Sequence, residues 1–392
     1  MKIEDSQGKS DLFGEHAFTS YSQNMNSTLE VGTARAQPGK IIYGELEALE
    51  LPSGGSDYFP IIIAQGKPEG PVLWITASIH GAEYTGIPVI HQLLTRGLVN
   101  RLNGTIVAVP TLNPAGLRSA QRSPYYLNGQ DPNRLFPAPP PRRPYTQPET
   151  PPSGMEEAYT RLFGYIQHSA NYLIDLHNYS PGALSFAFRD PVYYRGGRDR
   201  SAAQQLQAKM SEMLAAFGHT IVNEYASAEY LKMNLHRSVS GAAFNVARIP
   251  AFTAELGGFM SVDQSMVMAA VSGIRNVMRW AGMLAGDPEP ILGIKIMNPG
   301  YPIRRMLHPV APASGICSYY VKAGDTIAAG DPIARLTDIY GRPLGSDDGL
   351  VLTRHDGIVL GVSVGAVCYK NEPLLSLAIR DDSELVLPFP SY

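Results

Sequence analysis

The chain has 392 residues, which is enough for one large domain or two ordinary ones, and we predict two. Hydrophobic residues make up 44% and charged residues 17%, a globular composition that excludes a largely disordered chain. The formal net charge of −3 argues against nucleic acid and anionic membranes as partners, because both require clustered basic surface.

The N-terminus lacks the apolar segment of a secretory leader, and no later segment runs about 18 apolar residues without interruption. We therefore expect a soluble, cytoplasmic protein. Two cysteines, Cys317 and Cys368, are too few for a disulfide framework and fit a reducing compartment. We expect both to be buried structural thiols.

From about residue 60 to 290, short runs rich in β-branched residues alternate with longer helical stretches. The candidate strands are 58–66, 71–79, 104–112, 170–177, 219–225 and 250–256, and the candidate helices are 83–97, 155–168, 200–217 and 262–285. Strands that are apolar on both faces and interleaved with helices predict an α/β domain with a mixed, mostly parallel sheet covered by helices. We assign residues 41–290 to this domain and residues 1–40 to an N-terminal extension.

Residues 137–154 read PAPPPRRPYTQPETPPSG, in which repeated proline blocks both helix and central strand. This segment is predicted to be a surface loop. We favour the hypothesis that it is a solvated connector; the alternative is that it forms one wall of a pocket.

Residues 291–392 change to short strands, glycines and turns, which predicts a small all-β, barrel-like domain. A weak internal repeat supports it, because Gly324 and Gly365 precede the pairs Asp331-Pro332 and Glu372-Pro373 by the same interval. The domain lacks a lysine in a recognisable carrier context. We interpret it as a structural module or one that shields a pocket.

Potential metal-site residues stand at the ends of three separate candidate strands. His80 closes WITASIH, His177 closes NYLIDLH, and Glu255 lies near the end of AFTAEL. In open α/β sheets, ligands gather outside the carboxyl ends of the strands, so these residues can meet in one crevice. Glu83 can face the same point if the strand ends at His80 and a helix begins near Gly81.

Two imidazoles and one carboxylate are typical of a catalytic zinc, which keeps a fourth position for water. We predict one Zn²⁺ per chain, bound by His80, Glu83 and His177. Zinc lowers the pKa of such a water to about 7 and polarises a carbonyl, but a leaving amine still needs a proton donor. Glu255 is the candidate general acid and base. A histidine at a strand end is otherwise a hydrogen-bonded structural residue, so the prediction depends on the convergence of all three strands.

The other histidines lack such a context, and we expect structural or surface roles for His16, His91, His168, His219, His236, His308 and His355.

The segment DPNRLFP, residues 131–137, adds a substrate subsite. Arg134 offers a planar fork for a carboxylate, and Asn133 offers a neutral donor beside it. Asp131 precedes Pro132, so one interpretation of it is simply a turn residue.

The motifs HGAE, NPAG, DPNRLFP, DLHNY and RIPAFTAELGG occur in the order and approximate spacing of the succinylglutamate desuccinylase/aspartoacylase branch of the zinc carboxypeptidase family. The resemblance covers about residues 40–290 and extends to the C-terminal β domain. It implies that His80, Glu83 and His177 hold zinc and that Glu255 activates the water and later protonates the departing nitrogen.

The same resemblance suggests roles for the residues between the ligands. Asn133 and Arg134 would bind the substrate carboxylate, and Asp131 would accept the second ring N–H of His80. Arg122 would polarise the scissile carbonyl, with Arg118, four residues earlier, as the alternative.

Three features depart from the family pattern: Pro132, Asn178 after DLH, and the proline-rich loop. We expect none of them to touch a metal ligand, although each could reshape the pocket.

The sequence therefore predicts a zinc-dependent amide hydrolase acting on a small N-acyl amino acid or a related carboxylate-bearing amide. A metallocarboxypeptidase that trims peptides is one alternative, and a binding protein that keeps the metal site without catalysis is another. In the preferred hypothesis the binding partner is a small-molecule N-acyl amino acid substrate. The sequence leaves open whether the chain assembles into a homo-oligomer.

Overall fold

The computed structural model describes residues 28–138, 151–363 and 365–390. Residues 1–27 of the predicted N-terminal extension, with His16, and residues 139–150 of the proline-rich loop lie outside this part of the chain. The strands are β1 Glu30–Val31, β2 Ala34–Arg35, β3 Lys40–Glu50, β4 Ser56–Gln65, β5 Lys67–Ala77, β6 Asn103–Val109, β7 Tyr172–Tyr179, β8 Ser185–Arg189, β9 Val192–Tyr194, β10 Thr220–Asn223, β11 Ala251–Gly258, β12 Ile303–Met306, β13 Gly315–Tyr319, β14 Thr326–Ile327, β15 Pro332–Thr337, β16 Leu350–Leu352, β17 Gly357–Val362, β18 Val367–Cys368, β19 Leu375–Arg380 and β20 Val386–Pro388. The α-helices are α1 Gly86–Leu93, α2 Arg96–Val99, α3 Pro114–Ser119, α4 Gly154–Ser169, α5 Gly197–Phe217, α6 Ser227–Lys232, α7 Val239–Asn245 and α8 Gln264–Trp280.

A twelve-stranded mixed sheet has the order β14-β17-β19-β12-β10-β8-β11-β7-β5-β6-β4-β3. Strands β6, β5, β7 and β11 are parallel to one another at its centre. Strands β8, β10 and β12 are also mutually parallel, but β8 runs antiparallel to β11. Antiparallel pairs complete both edges. The predicted mixed α/β sheet is confirmed.

Helices cover both faces of this sheet. Helices α1, α5 and α8 pack together on one face, and α4 and α7 pack on the other. Central strands are therefore apolar in both directions, as the adjacent and fully buried Trp74 and Ile75 of β5 show. On the α7 face, Ser240 and Thr253 share a buried hydrogen bond of 2.8 Å, which ties that helix to β11. The polar site lies on the same face as α7.

The predicted elements differ from the observed ones in a few places. The helix expected over 83–97 is two helices, because the chain leaves helical geometry at Leu94 and Thr95 caps the second one. Strand β3 was not predicted from the sequence, since it lies at the sheet edge with many exposed side chains. Strand β8 was also not predicted, although it lies beside β11 in the middle of the sheet.

Residues after 291 form β-structure, as predicted, mainly in two parts, and β20 pairs separately with β9. Strands β12, β19, β17 and β14 extend the large sheet through the pairing of β12 with β10, and β16, β15, β13 and β18 form a second, antiparallel sheet. The internal repeat is visible as equivalent turns. Asp331 and Glu372 each accept a backbone hydrogen bond from three residues earlier, and the following Ile333 and Leu374 are fully buried. The division at 290 stays a prediction, and the sheet itself crosses it.

Cys317 and Cys368 are both buried and unpaired, as predicted. Among the described residues, no helix has the length and apolar character needed to cross a membrane.

Candidate metal centre and catalytic residues

The first two candidate ligands lie on the turn that joins β5 to α1. Strand β5 ends at Ala77 and α1 begins at Gly86, so His80 and Glu83 lie in the connection and not at the start of a helix near Gly81, as we had expected. Glu83 N donates to His80 O over 3.0 Å, which closes the turn between them. Ser78 opens the connection in the left-handed region, with φ of 49°.

A buried asparagine holds this turn against the neighbouring loop. The side chain of Asn113 donates to Ile79 O over 2.9 Å and to Arg122 O over 3.1 Å, while its oxygen caps α3. Gly81 N also donates to Arg122 O. A Cβ on Gly81 would lie 2.0 Å from the backbone of Gly116, so only glycine permits this close approach.

The three predicted ligands meet in one buried cluster. His80 Nδ1 lies 2.8 Å from Glu83 Oε1, and His177 Nδ1 lies 2.9 Å from Glu83 Oε2. The candidate donor atoms of the three residues are all within 4.8 Å of one another. This set of two imidazoles and one carboxylate fits a tetrahedral zinc with one open position. Because carboxylate oxygens face both Nδ1 atoms, those nitrogens are the ones positioned to bind a cation.

A different aspartate contacts the second ring nitrogen, Nε2, of each imidazole. His80 Nε2 lies 3.0 Å from Asp131 Oδ1, the position that the resemblance implied. His177 Nε2 lies 2.7 Å from Asp175 Oδ2, and Asp175 is itself fixed by a 2.7 Å hydrogen bond from Thr76. Such carboxylates orient metal-binding histidines and place the proton on the ring nitrogen that does not bind the metal. Asp175 was not predicted from the sequence. Because it lies two residues before His177 on a strand, the side chains of both residues point to the same face of the sheet.

The close contacts within the cluster shift the pKa values of its members. Burial would raise the pKa of Glu83, but the two imidazoles outweigh burial and hold that pKa well below its ordinary value. Burial would lower the pKa of His177, but Asp175 and Glu83 raise it well above the usual value. A buried carboxylate that stays ionised between two imidazoles, one of which holds its proton strongly, also suits a divalent cation in place of that proton.

Glu255 lies beside the cluster on β11. It is aligned with His177 in the parallel pairing of β11 with β7 and is 7% exposed. Its Oε2 is buried without a hydrogen-bond partner among the described residues, so a polar ligand or water is needed there. Burial raises the pKa of Glu255 to about 7, against the lowering effect of His177. A carboxyl group near neutrality can both accept and return a proton.

The structure separates the two candidate arginines. Arg122 Nη2 donates to Asp131 over 2.9 Å, and its Nη1 lies 3.6 Å from Glu83. Arg118 instead pairs with Asp57 at 2.6 Å and lines a separate depression of about 280 Å³. Arg122 is therefore the arginine at the candidate metal centre.

Asn133 and Arg134 lie on the turn after Asp131. Asn133 is buried, its Oδ1 accepts from Val239 N, and its Nδ2 lies 3.5 Å from His177 Nε2. Arg134 is anchored by bonds of 2.8 Å from Nε to Met233 O and 2.7 Å from Nη1 to Asn133 O. Among the described residues, these bonds to backbone carbonyls use Nε and Nη1 of Arg134 and not its Nη2.

Asn178 makes a hydrogen bond to a proposed metal ligand, which was not predicted from the sequence. Its backbone N–H donates to Glu83 Oε2 over 3.1 Å, so the expectation that it would touch no ligand was wrong. Its side chain bonds to Thr85, Leu256 and Gly258. Asn178 thereby links the ligand turn to β7 and β11.

A cleft of about 270 Å³ opens beside Glu83 and Arg122. One wall comes from Tyr179 and its neighbours on the α/β side, and the opposite wall comes from the C-terminal strands, including Val362 and Ser376. Tyr179 donates a 2.8 Å hydrogen bond to Ser376, which links the two walls. The C-terminal region therefore shapes the space next to the candidate metal centre.

The remaining described histidines lie apart from this cluster. His80, Glu83 and His177 form the one group of metal-type ligands found in the described part of the chain. His219 is buried against Phe217 and bonds Ser185, a structural role as predicted.

Comparison with known proteins gives related chains. N-α-acetyl-L-2,4-diaminobutyric acid deacetylase from Halomonas elongata is 24% identical over 292 residues, which covers 73% of this chain and 75% of that protein. A succinylglutamate desuccinylase/aspartoacylase structure from Rhodobacter sphaeroides superimposes with a TM-score of 0.67 at 20% identity, covering 88% and 96% of the two chains. The product-bound ectoine utilization protein EutE (DoeB) from Ruegeria pomeroyi gives 0.66 at 18% identity, covering 90% and 98%. These structures show the same fold.

The family model for the succinylglutamate desuccinylase/aspartoacylase catalytic domain matches residues 69–281, which is more than half of the chain. The matched range contains every residue of the candidate centre described above. The chain therefore belongs to the succinylglutamate desuccinylase/aspartoacylase family.

Proposed function

We propose that this protein is a zinc-dependent hydrolase that removes the acyl group from a small N-acyl amino acid. The observation that carries the proposal is the buried His80–Glu83–His177 cluster with Glu255 beside it. Family membership and the related deacetylase support the reaction class. One zinc per chain is part of the proposal.

The residues present fit a zinc ion. The two Nδ1 atoms converge on one carboxylate, aspartates hold both Nε2 atoms, and the buried Glu255 Oε2 has no partner among the described residues. When bound, zinc would supply Lewis acidity, which acidifies a water and polarises the acyl carbonyl.

Glu255 is the proton carrier in the proposed reaction. As a carboxylate it takes a proton from the attacking water, and as the acid it returns that proton to the nitrogen of the leaving amine. The role suits a buried carboxyl group with a pKa raised to about 7, because both protonation states are accessible near neutral pH. The C–N bond breaks as the proton reaches nitrogen, so the products are a neutral amine, which carries the proton taken from water, and the carboxylic acid of the acyl group, which keeps the oxygen of that water.

Three side chains provide hydrogen-bond donors to the substrate: the cationic Arg122 and Arg134 and the neutral Asn133. Arg122 reaches Asp131 and Glu83 at the edge of the cluster, where it can stabilise negative charge on the acyl oxygen. Arg134 is held by two backbone carbonyls, so its fork is oriented before the substrate arrives. A preorganised arginine is well suited to the carboxylate of the amino acid.

The size of the cleft favours a small amide over a peptide. Its volume of about 270 Å³ is slightly smaller than the range of roughly 300–1,000 Å³ that is usual for ligand pockets. The C-terminal strands form its far wall and limit its extent. We therefore propose deacylation in preference to peptide trimming.

The test is a zinc-loaded assay of N-acetyl, N-formyl and N-succinyl amino acids, with release of the free amine as the readout. Peptides with an unmodified C-terminus are assayed in parallel. We expect amine release from at least one N-acyl amino acid and none from the peptides. Stoichiometric zinc with no hydrolysis in either panel would overturn the proposal in favour of a binding protein.

A further inference from the structure

Arg237 binds the end of the substrate turn, residues 131–136, which carries Asn133 and Arg134. The backbone N–H of Phe136 donates to Arg237 O over 3.1 Å, and Nε of Arg237 donates to Phe136 O over 3.1 Å. One residue therefore satisfies both backbone polar groups of Phe136. These two bonds set the direction in which the chain leaves the substrate turn.

The same guanidinium reaches the first turn of α4. Nη2 of Arg237 pairs with Glu156 Oε1 at 3.0 Å. The other oxygen of Glu156 accepts from the backbone N–H and the hydroxyl of Ser153, which caps the helix. Burial would raise the pKa of Glu156, but the bonds from Ser153 and Arg237 outweigh burial and lower it, so the carboxylate is charged at neutral pH. Arg237 thus joins the substrate turn to α4 through a charge-assisted hydrogen bond.

Arg237 also connects the two sides of the proline-rich segment. Phe136 directly precedes residues 137–154, and Glu156 closely follows them. Repeated proline leaves that segment few backbone N–H groups with which to support the substrate turn. The restraint at this end of the turn comes instead from Arg237.

Burial of the Phe136 ring does not replace this restraint. The ring is fully buried and stacks on Tyr159 of α4, with ring centres 4.8 Å apart. Apolar contacts of this kind fix where the ring lies but are non-directional. Hydrogen bonds depend on angle, so the bonds to Arg237 determine how the backbone of Phe136 is oriented.

The two substrate-binding side chains depend on the segment that contains Arg237. Nε of Arg134 donates to Met233 O, and Oδ1 of Asn133 accepts from Val239 N. Both partners lie within four residues of Arg237 in the chain. A movement of this segment relative to the substrate turn would therefore displace both side chains together. A displacement of about 1 Å can cost roughly 100-fold in rate.

We propose that Arg237 is a positioning residue that presets the orientation of Asn133 and Arg134 for the substrate carboxylate by joining Phe136 to Glu156. This inference rests on the proposed deacylase function. Arg237 acts on substrate binding, before any bond is broken. A binding group that is already ordered pays less conformational entropy when the ligand arrives, so loss of Arg237 should raise KM more than it lowers kcat.

Steady-state kinetics of zinc-loaded Arg237→Gln test the proposal, with the N-acyl amino acid that wild type cleaves fastest. We expect KM to rise about 10-fold, the worth of a hydrogen bond to a charged group, and kcat to stay within about threefold. Arg248→Gln is the matched control, because Arg248 is also partly buried and pairs with Asp199 at 2.8 Å, before the start of β11 and away from Glu255. An unchanged KM in Arg237→Gln, or an equal rise in Arg248→Gln, would overturn the proposal.

A double-mutant cycle with Arg134→Gln shows whether Arg237 acts through the substrate turn. If it does, removing Arg237 matters little once Arg134 has gone, because the group that it orients is absent. We expect KM of the double variant to lie within about threefold of that of Arg134→Gln alone. Independent effects that multiply would indicate a general structural role and overturn the proposal.

Hydrogen exchange separates this proposal from the proposed function, because it needs no turnover. Mass spectrometry compares amide exchange in zinc-loaded wild type and Arg237→Gln. We expect faster exchange over residues 131–138 in the variant, with exchange over β7 unchanged. If wild type hydrolyses no N-acyl amino acid, the proposed function fails, and this local loss of protection still supports the restraint of the turn by Arg237. Unchanged exchange over residues 131–138 would overturn that restraint.

Discussion

Glu255 lies directly opposite His177 in the parallel pairing of β11 with β7. Backbone hydrogen bonds of the sheet therefore set the spacing between the proposed proton carrier and a proposed metal ligand. Rigid strands hold such pairs more accurately than loops do.

Replacing Glu255 with glutamine tests the proton carrier. Glutamine keeps the size and polarity of the side chain but cannot accept and return a proton. We expect Glu255→Gln to keep one zinc per chain, measured by atomic absorption, and to lose roughly 10²–10⁴-fold in kcat. A fully active glutamine variant would refute the role.

Arg122 and Arg118 form a natural matched pair, four residues apart on the same segment. Arg122 contacts Asp131 and Glu83, whereas Arg118 contacts Asp57 outside the site. We expect Arg122→Gln to lower kcat by roughly 10²-fold, because a donor to the acyl oxygen is lost. Arg118→Gln should leave kcat within about twofold of wild type. Equal losses in both variants would place the effect in folding and not in catalysis.

Asp175 is predicted to support zinc binding through His177. Asp175→Asn keeps the shape of the side chain but weakens its hold on the ring N–H of His177. We expect zinc affinity, measured by competition with a chelating dye, to fall by about 10- to 100-fold. Thr76→Val is the milder companion change, since it removes one hydrogen bond to Asp175 and leaves the carboxylate. Unchanged zinc affinity in Asp175→Asn would argue against this role.

His219 should make the fold sensitive to acid. Burial lowers its pKa to about 4, against about 6.5 in an unfolded chain. Above pH 6.5 the group is neutral in both states and has no effect. As the pH falls from 6.5 to 4, the unfolded chain takes up a proton that the folded chain does not, which costs roughly 3 kcal/mol of stability.

Urea unfolding between pH 7 and pH 4.5 checks this dependence. His219→Gln should flatten the decline, because glutamine keeps a polar partner for Ser185 without titrating. The exposed His91→Gln should leave it unchanged. If His219→Gln loses stability with acid as steeply as wild type does, His219 is not the source.

Much of the fold and of the site follows from local patterns. Continuous apolar runs predict most of the central strands, and the site is located because His80, His177 and Glu255 each follow or end such a run. Strand β3 was missed because its alternating exposed residues resemble a polar segment. Asp175 could have been found from strand alternation.

The remaining features depend on contacts between distant segments. The hydrogen bond between Tyr179 and Ser376 carries no local signal, since the two residues are 197 positions apart in the chain and meet only because β19 joins the sheet through β12. The choice between Arg122 and Arg118 likewise needed the fold, because both occupy similar positions in sequence. The turn at residues 78–85 replaced the expected helix start because Ser78 and Gly81 adopt geometries set by the neighbouring loop.

The wall of the cleft and its metal centre come from different stretches of the chain. Every proposed ligand and the proton carrier precede residue 256, while Val362 and Ser376 are contributed by strands that join the sheet later in the sequence. Mutations in those later strands can thus retune which molecules enter while the hydrolytic apparatus stays untouched. Evolution of new selectivity in such a protein would be expected to concentrate its changes in the last quarter of the chain.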